Sequence, residues 1–291
     1  MNDITYDKLV DLYNRASIIG YEGIESVTST DLDGVEYTTL FVYDGNKENI
    51  NNIYICIPSG FKNDNNPGKY AENIQKAIES LEKKTILTLD QKRNINILYS
   101  SLNIYLYGGE NVRYLNCVFM NIIAHTIDLT NFKSKGLVEM DSTFNSAYVG
   151  TIELGSLYTG KVTTFEACFY SSNIERVDLS KLDVSSAKVM YGMFHGALIS
   201  EMSEFNLSKW RTTHVENYCS MFEDFEFHGI IDISNFTTKH VKDAATIDMF
   251  EGTNFNSARY RIRDAKLLEE LNEAYNMFVR CEDESFFGDD Q

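Results

Sequence analysis

Apolar residues return along this chain in two superimposed patterns. The first is alternating: Ile127-Asp128-Leu129, Ile152-Glu153-Leu154, Val177-Asp178-Leu179, Phe205-Asn206-Leu207 and Ile231-Asp232-Ile233. Period two with β-branched residues predicts a short strand with one buried face. Three residues after each comes a further apolar anchor: Phe132, Leu157, Leu182, Trp210 and Phe236. The second pattern begins eight residues beyond the strand: Leu137/Met140/Phe144, Val162/Phe165/Phe169, Ala187/Met190/Phe194 and Val215/Tyr218/Phe222. Spacing i, i+3, i+7 predicts one face of a short helical or 3₁₀ segment. Val112/Leu115/Phe119 fits the same template one unit earlier, after the strand-like Ile104-Tyr105-Leu106. Around Phe250 the nearest apolar neighbours are Ala244 and Ile247, which implies a small insertion.

The phenylalanines closing these sets are Phe119, Phe144, Phe169, Phe194, Phe222 and Phe250, at steps of 25, 25, 25, 28 and 28 residues. A constant period in this range predicts a solenoid, in which each unit buries its apolar face against the next. Each unit reads as strand, turn, short helical segment, turn, with the strands stacked in a parallel sheet at roughly 4.8 Å per unit.

Segments such as Ile127-Asp-Leu-Thr-Asn-Phe132, Val177-Asp-Leu-Ser-Lys-Leu182 and Ile231-Asp-Ile-Ser-Asn-Phe236, each followed by a Met/Phe pair (Met193-Phe194, Met221-Phe222, Met249-Phe250), resemble the BspA-like leucine-rich repeats. These are found in bacterial surface proteins and mycoplasma-type lipoproteins. The resemblance covers about residues 100–256. It implies a leucine-rich solenoid that is secreted or lipid-anchored and binds proteins, often as an adhesin.

The flanks differ. Residues 1–95 lack the repeat and predict a small α+β domain. Tyr6 to Ala16 suits an amphipathic helix. Three strand-like runs follow, Ile24–Thr30, Glu36–Tyr43 and Asn52–Ile57, the first two joined by the hairpin signal Asp33-Gly34. After a polar loop at Asn63–Gly68 comes a second helical face at Lys69–Lys84. Thr85–Asp90 and Ile95–Tyr99 then read as strands leading into about six solenoid units over residues 96–260. Residues 261–281 predict a capping helix, with Leu267, Leu268, Leu271, Tyr275 and Phe278 on one side. Residues 282–291 form an acidic tail that is disordered, or else a short peptide ligand anchored by Phe286 and Phe287.

Charge narrows the partners. The chain of 291 residues carries a formal charge of −17, which argues against direct binding to nucleic acid or anionic membranes, since both need basic patches. Acidity keeps an extended solenoid soluble; it also suits a basic protein partner. The amino terminus, Met1-Asn-Asp-Ile-Thr-Tyr-Asp-Lys8, has no cationic leader, long apolar run or lipobox-like cysteine, which predicts a cytoplasmic protein. Five cysteines without C-x-x-C spacing argue against a disulfide framework or zinc ribbon. None of the five histidines is paired at ligand spacing, and no nucleophile-elbow, dinucleotide or phosphate-loop motif occurs. Asp31-Leu-Asp33-Gly34 opens like a calcium loop, but Val42 stands where its closing glutamate belongs. These features predict a nonenzymatic module with no cofactor or metal.

Between the paired strand anchors lie Asp128, Glu153, Asp178, Asn206 and Asp232. Alternation places them on the outer face of the sheet, about 5 Å apart from strand to strand. Such a row either bonds to its own backbone and to Lys133, Lys181, Lys209 or Arg211, or receives a basic partner. The expected function is therefore protein binding in the cytoplasm, in its sharpest form a phage-type inhibitor that offers carboxylates to a nucleic-acid-handling defence enzyme. The alternatives are an exported adhesin or surface lipoprotein, and a hydrolase sited in the amino-terminal domain.

Overall fold

The computed structural model describes residues 24–30, 36–43, 52–57, 102–200, 204–242 and 244–286, with side chains placed for 52–57, 102–200, 205–242 and 244–277. Outside these lie the expected helices at Tyr6–Ala16 and Lys69–Lys84, the Asp33-Gly34 turn, the Asn63–Gly68 loop, the strands at Thr85–Asp90 and Ile95–Tyr99, and Phe287.

The chain forms a β-solenoid of about six turns with parallel strands and a C-terminal helix. Strand β2 (Glu36–Tyr43) pairs antiparallel with both β1 (Ile24–Thr30) and β3 (Asn52–Ile57). From β3 the sheet becomes parallel, through β4 (Asn103–Gly108), β5 (Ile123–Phe132), β6 (Tyr148–Glu153), β7 (Asn173–Val177) and β8 (Leu198–Ile199). Ile53, Ile55 and Ile57 join the same apolar core as the repeats, so β3 covers the first turn. A second sheet holds β9 (Glu204–Asn206), β10 (Gly229–Asp232) and β11 (Ala258–Arg261) in the order β11-β10-β9.

The break between sheets follows from repeat length. Ile174 pairs with Ile199, an offset of 25, so β8 still keeps step. Phe205 follows Val177 by 28, so the three extra residues of this unit fall between β8 and β9. That insertion interrupts the ladder and starts a new sheet.

The phenylalanines form a single stack through the interior. Successive centroids lie 5.5, 5.2, 5.4, 5.6 and 6.2 Å apart from Phe119 to Phe250, with ring planes within 10° of parallel. A rise of roughly 4.8 Å per turn brings each ring over the next in the offset geometry that aromatic pairs favour. The strand anchors and the Phe132-Leu157-Leu182-Trp210-Phe236 series are buried as well. Trp210 donates its indole N–H to the Leu179 carbonyl at 3.0 Å.

The expected helical segment on the opposite side is a different structure. Its tight turns close i to i−3, as in Val118 N to Leu115 O (3.2 Å) and Met120 N to Cys117 O (3.2 Å). The intervening amides point along the solenoid axis: Cys117, Phe119 and Asn121 donate to Asp141, Thr143 and Asn145 at 3.0, 2.9 and 2.9 Å. Left-handed residues two before and two after each phenylalanine make this possible, among them Cys117 and Asn121, Ser142 and Ser146, Ala167 and Ser171, and Ser220 and Asp224. A helix would spend its N–H groups internally and leave the next turn unbonded. Left-handed backbone costs roughly 1–2 kcal/mol at a residue with a Cβ, which explains the small and polar side chains there. The i, i+3, i+7 spacing reports these turns.

Near Phe250 the insertion also differs from expectation. Lys242 N bonds Glu216 O, an offset of 26 and one more than the 25 of Lys188 N to Thr163 O, whereas Tyr218 N bonds Ala245 O, an offset of 27 and three more than the 24 of Leu115 N to Glu139 O. Two residues are therefore added between positions 242 and 246. Val241 and the buried Thr246 take the anchor positions, and Ile247 turns outward.

Helix α1 (Ala265–Phe286) crosses the last turn and runs into the stretch expected to be a disordered tail. Asp264 starts it by accepting the Lys266 and Leu267 amides. Leu267 is buried, with Leu271 and Ala274 against the core. Among the described residues no helix is long and apolar enough to cross a membrane.

Candidate interaction surface

The outer strand row is built by turn chemistry. The carboxylate or amide oxygens of Asp128, Asp178, Asn206 and Asp232 each accept the amide two residues on, at 2.7, 3.1, 3.0 and 3.0 Å. At Asp178, Asn206 and Asp232 this short side-chain loop turns the chain out of the strand; at Asp128 it sits where β5 shifts register against β4 and then runs on to Phe132. Glu153 is too long for it; its unit turns at Gly155, which has φ +56°. An added Cβ there would lie 2.6 Å from Thr130 Cα in the preceding unit.

Charge along the row is uneven. Asp128 and Glu153 are in-register neighbours on β5 and β6. Asp178 lies 4.0 Å from Lys181. Asn206 is neutral and pairs in register with Asp232, which is 8% exposed and lies 3.3 Å from Arg261. Burial pulls the Asp232 carboxyl up, but Ser234 and Arg261 outweigh it and hold it below the usual carboxylate range. Asp178 and Asn206 also line a cleft of about 190 Å³ with Phe205 and Lys209, near the break between sheets. Phe286 is the last residue of α1.

The opposite face carries a second acidic feature. The residue after each ladder phenylalanine lies at the surface: Met120, Asn145, Tyr170, His195, Glu223 and Glu251. Tyr170 and His195 stack at 4.5 Å, and His195 Nδ1 lies 3.1 Å from Glu223. His195, Glu223 and Asp224 bring three ligand-type atoms within 4.8 Å of one another.

Beyond them a groove of about 510 Å³ opens between the last turn and α1. Six carboxylates line it: Glu223, Asp224, Asp248, Glu251, Glu270 and Glu273. Among the described lining residues there is no lysine or arginine. The walls include Ile247, 46% exposed, and Met277, 54% exposed, beside Met249, Phe250 and Ala274. Glu270, Glu273, Ala274 and Met277 follow i, i+3, i+4, i+7, one face of α1. Buried Thr246 donates to Glu270 at 2.5 Å and ties the helix to the turn beneath. The Glu251 carboxyl is pushed up by its hydrogen bond with Asp248 and by that charge, then by burial and by Glu223 and Asp224. Sequence spacing cannot show this groove, because it exists only once the helix is laid across the turn holding Asp248 and Glu251.

These features define a parallel β-solenoid with acidic outer surfaces. The chain belongs to the family described as Mycoplasma protein of unknown function, DUF285, which matches residues 69–176, 94–205 and 149–262. The first two matches begin 25 residues apart, one repeat unit. No curated protein and no solved structure matches the chain.

Proposed function

We propose that this chain is a nonenzymatic protein-binding solenoid of the BspA-like leucine-rich kind, acting in the cytoplasm on a partner with a basic surface. The observation that carries the reading is the adjacency of Asp128 and Glu153, held in register on a rigid sheet. Like charges directly opposite on neighbouring strands are destabilising, and a cationic partner relieves that repulsion. In its sharper form the partner is a nucleic-acid-handling enzyme, with these carboxylates standing where phosphates sit.

The test is capture of a partner from the native cytoplasm, followed by binding of the purified pair. Asp128→Lys with Glu153→Lys is expected to weaken that complex at least tenfold, and added salt to weaken the wild-type complex. An unchanged complex with the folded double variant refutes the assignment. Competition between the chain and the partner's nucleic acid tests the inhibitor form.

A second reading, an exported adhesin or surface lipoprotein, is favoured by membership of a mycoplasma repeat family. Protease accessibility of the tagged full-length gene product on intact cells separates the two: digestion supports export and rules out cytoplasmic action.

A further inference from the structure

We infer that the groove between the last solenoid turn and α1 seats a cationic amphipathic segment of the partner protein, with lysine or arginine side chains flanking an apolar anchor. This rests on the protein-binding reading and adds a second contact, on a different face from the strand row.

Ile247 and Met277 expose large apolar side chains inside a concave site, and the groove's volume of about 510 Å³ falls within the roughly 300–1,000 Å³ of ligand-holding clefts. The acidic rim selects among occupants. An anionic or purely apolar segment would leave those carboxylates unpaired as it displaced water from them. A bare hard cation would satisfy oxygen ligands but make no use of the apolar walls. Lysine and arginine carry their charge on apolar stems and match both surfaces. A second copy of this chain is disfavoured by its own charge of −17. Within the groove Glu251 is hydrogen-bonded to Asp248 and lies beside Glu223 and Asp224, like charges that a lysine or arginine side chain would offset.

The experiment uses the full chain and a fluorescein-labelled 14-residue peptide of lysine and leucine at helical spacing, followed by anisotropy in 150 mM salt. Comparison probes are a lysine-only peptide of equal charge, spermine and calcium ion. Glu251→Lys with Glu273→Lys is expected to weaken the lysine–leucine peptide at least tenfold, and Met277→Ser about threefold or more. Asp128→Lys with Glu153→Lys, an equal change of charge elsewhere, is expected to leave it within threefold. Circular dichroism checks each fold; if the double reversal fails to fold, Glu273→Gln with Met277→Ser carries the comparison.

Equal losses from both double reversals would show diffuse attraction and overturn the groove. So would lysine-only peptide or spermine binding as tightly as the amphipathic peptide, calcium displacing the peptide at micromolar concentration, or no saturable binding. None of these results touches the strand-row test with the captured partner, so the two readings fail separately.

Discussion

Replacing Asp141 with asparagine removes a charge and keeps its hydrogen bonds. Asp141 Oδ1 accepts both the Thr164 hydroxyl, at 2.5 Å, and the Glu166 amide, at 3.1 Å. An asparagine carbonyl accepts the same two donors. Burial is the main cause that pushes this carboxyl from 3.8 up to about 6; the Thr164 bond opposes it, and Glu139 and Glu166 add to it. An acid whose folded pKa is raised binds its proton more tightly in the native state than in the unfolded chain. The ionised form then penalises folding, fully above about pH 6 and not at all below 3.8. The full shift corresponds to about 3 kcal/mol at 1.36 kcal/mol per pH unit. Because the side chain is partly open to solvent, about 1–2 kcal/mol is the working figure. Asp141→Asn is therefore expected to raise the urea midpoint at pH 7 and to leave it nearly unchanged at pH 4. The difference between variant and wild type isolates this residue from groups such as Asp232, whose lowered pKa works in the opposite direction. No gain at pH 7, or the same gain at pH 4, refutes the reasoning.

Phe169→Ala removes a fully buried rung between Phe144 and Phe194 and is expected to cost about 3–5 kcal/mol, read as a fall in urea midpoint. Gly108→Ala and Gly192→Ala should differ although both glycines have positive φ. At Gly108 a Cβ would meet the Ile57 carbonyl oxygen at 2.2 Å, whereas at Gly192 the nearest contact is 3.7 Å. The second is expected to cost roughly 1–2 kcal/mol of backbone strain, and the first clearly more, through displacement of β3; equal melting temperatures would contradict this. Cys168 is fully buried and burial pushes its thiol well above the usual range, so it should resist iodoacetamide in the native protein and react once unfolded, as peptide mass spectrometry will show.

The ladder was legible in the sequence because a repeat multiplies one weak signal. A single Phe at the end of an i, i+3, i+7 set is compatible with many cores. Six at near-constant steps are not, since side chains that recur once per turn must stack along one axis. The strand row was legible for the same reason at Asp128, Glu153, Asp178 and Asn206, where alternation fixes the outward direction; Asp232, expected on the same open face, is buried beside Arg261 of the neighbouring strand. Spacing misled on the short segment before each phenylalanine, where anchors at i, i+3 and i+7 fit a helix as well as turns with left-handed residues between them. What separates the two is the destination of the N–H groups. Those of Cys117, Phe119 and Asn121 go to Asp141, Thr143 and Asn145 in the next turn, a choice visible only when the turns are stacked.

The periodic sequence determined the solenoid, its direction of stacking and its buried rungs, because hydrophobic burial acts on residue type and repeats with it. Tertiary structure decided where the three extra residues split the sheet, how Val241 and Thr246 replaced the expected anchors, and how α1 closed over the final turn. It alone brought Glu270, Glu273 and Met277 opposite Ile247 and Glu251. A groove is a relation between two elements, and packing sets that relation through contacts such as Thr246 to Glu270, which no spacing within either element encodes.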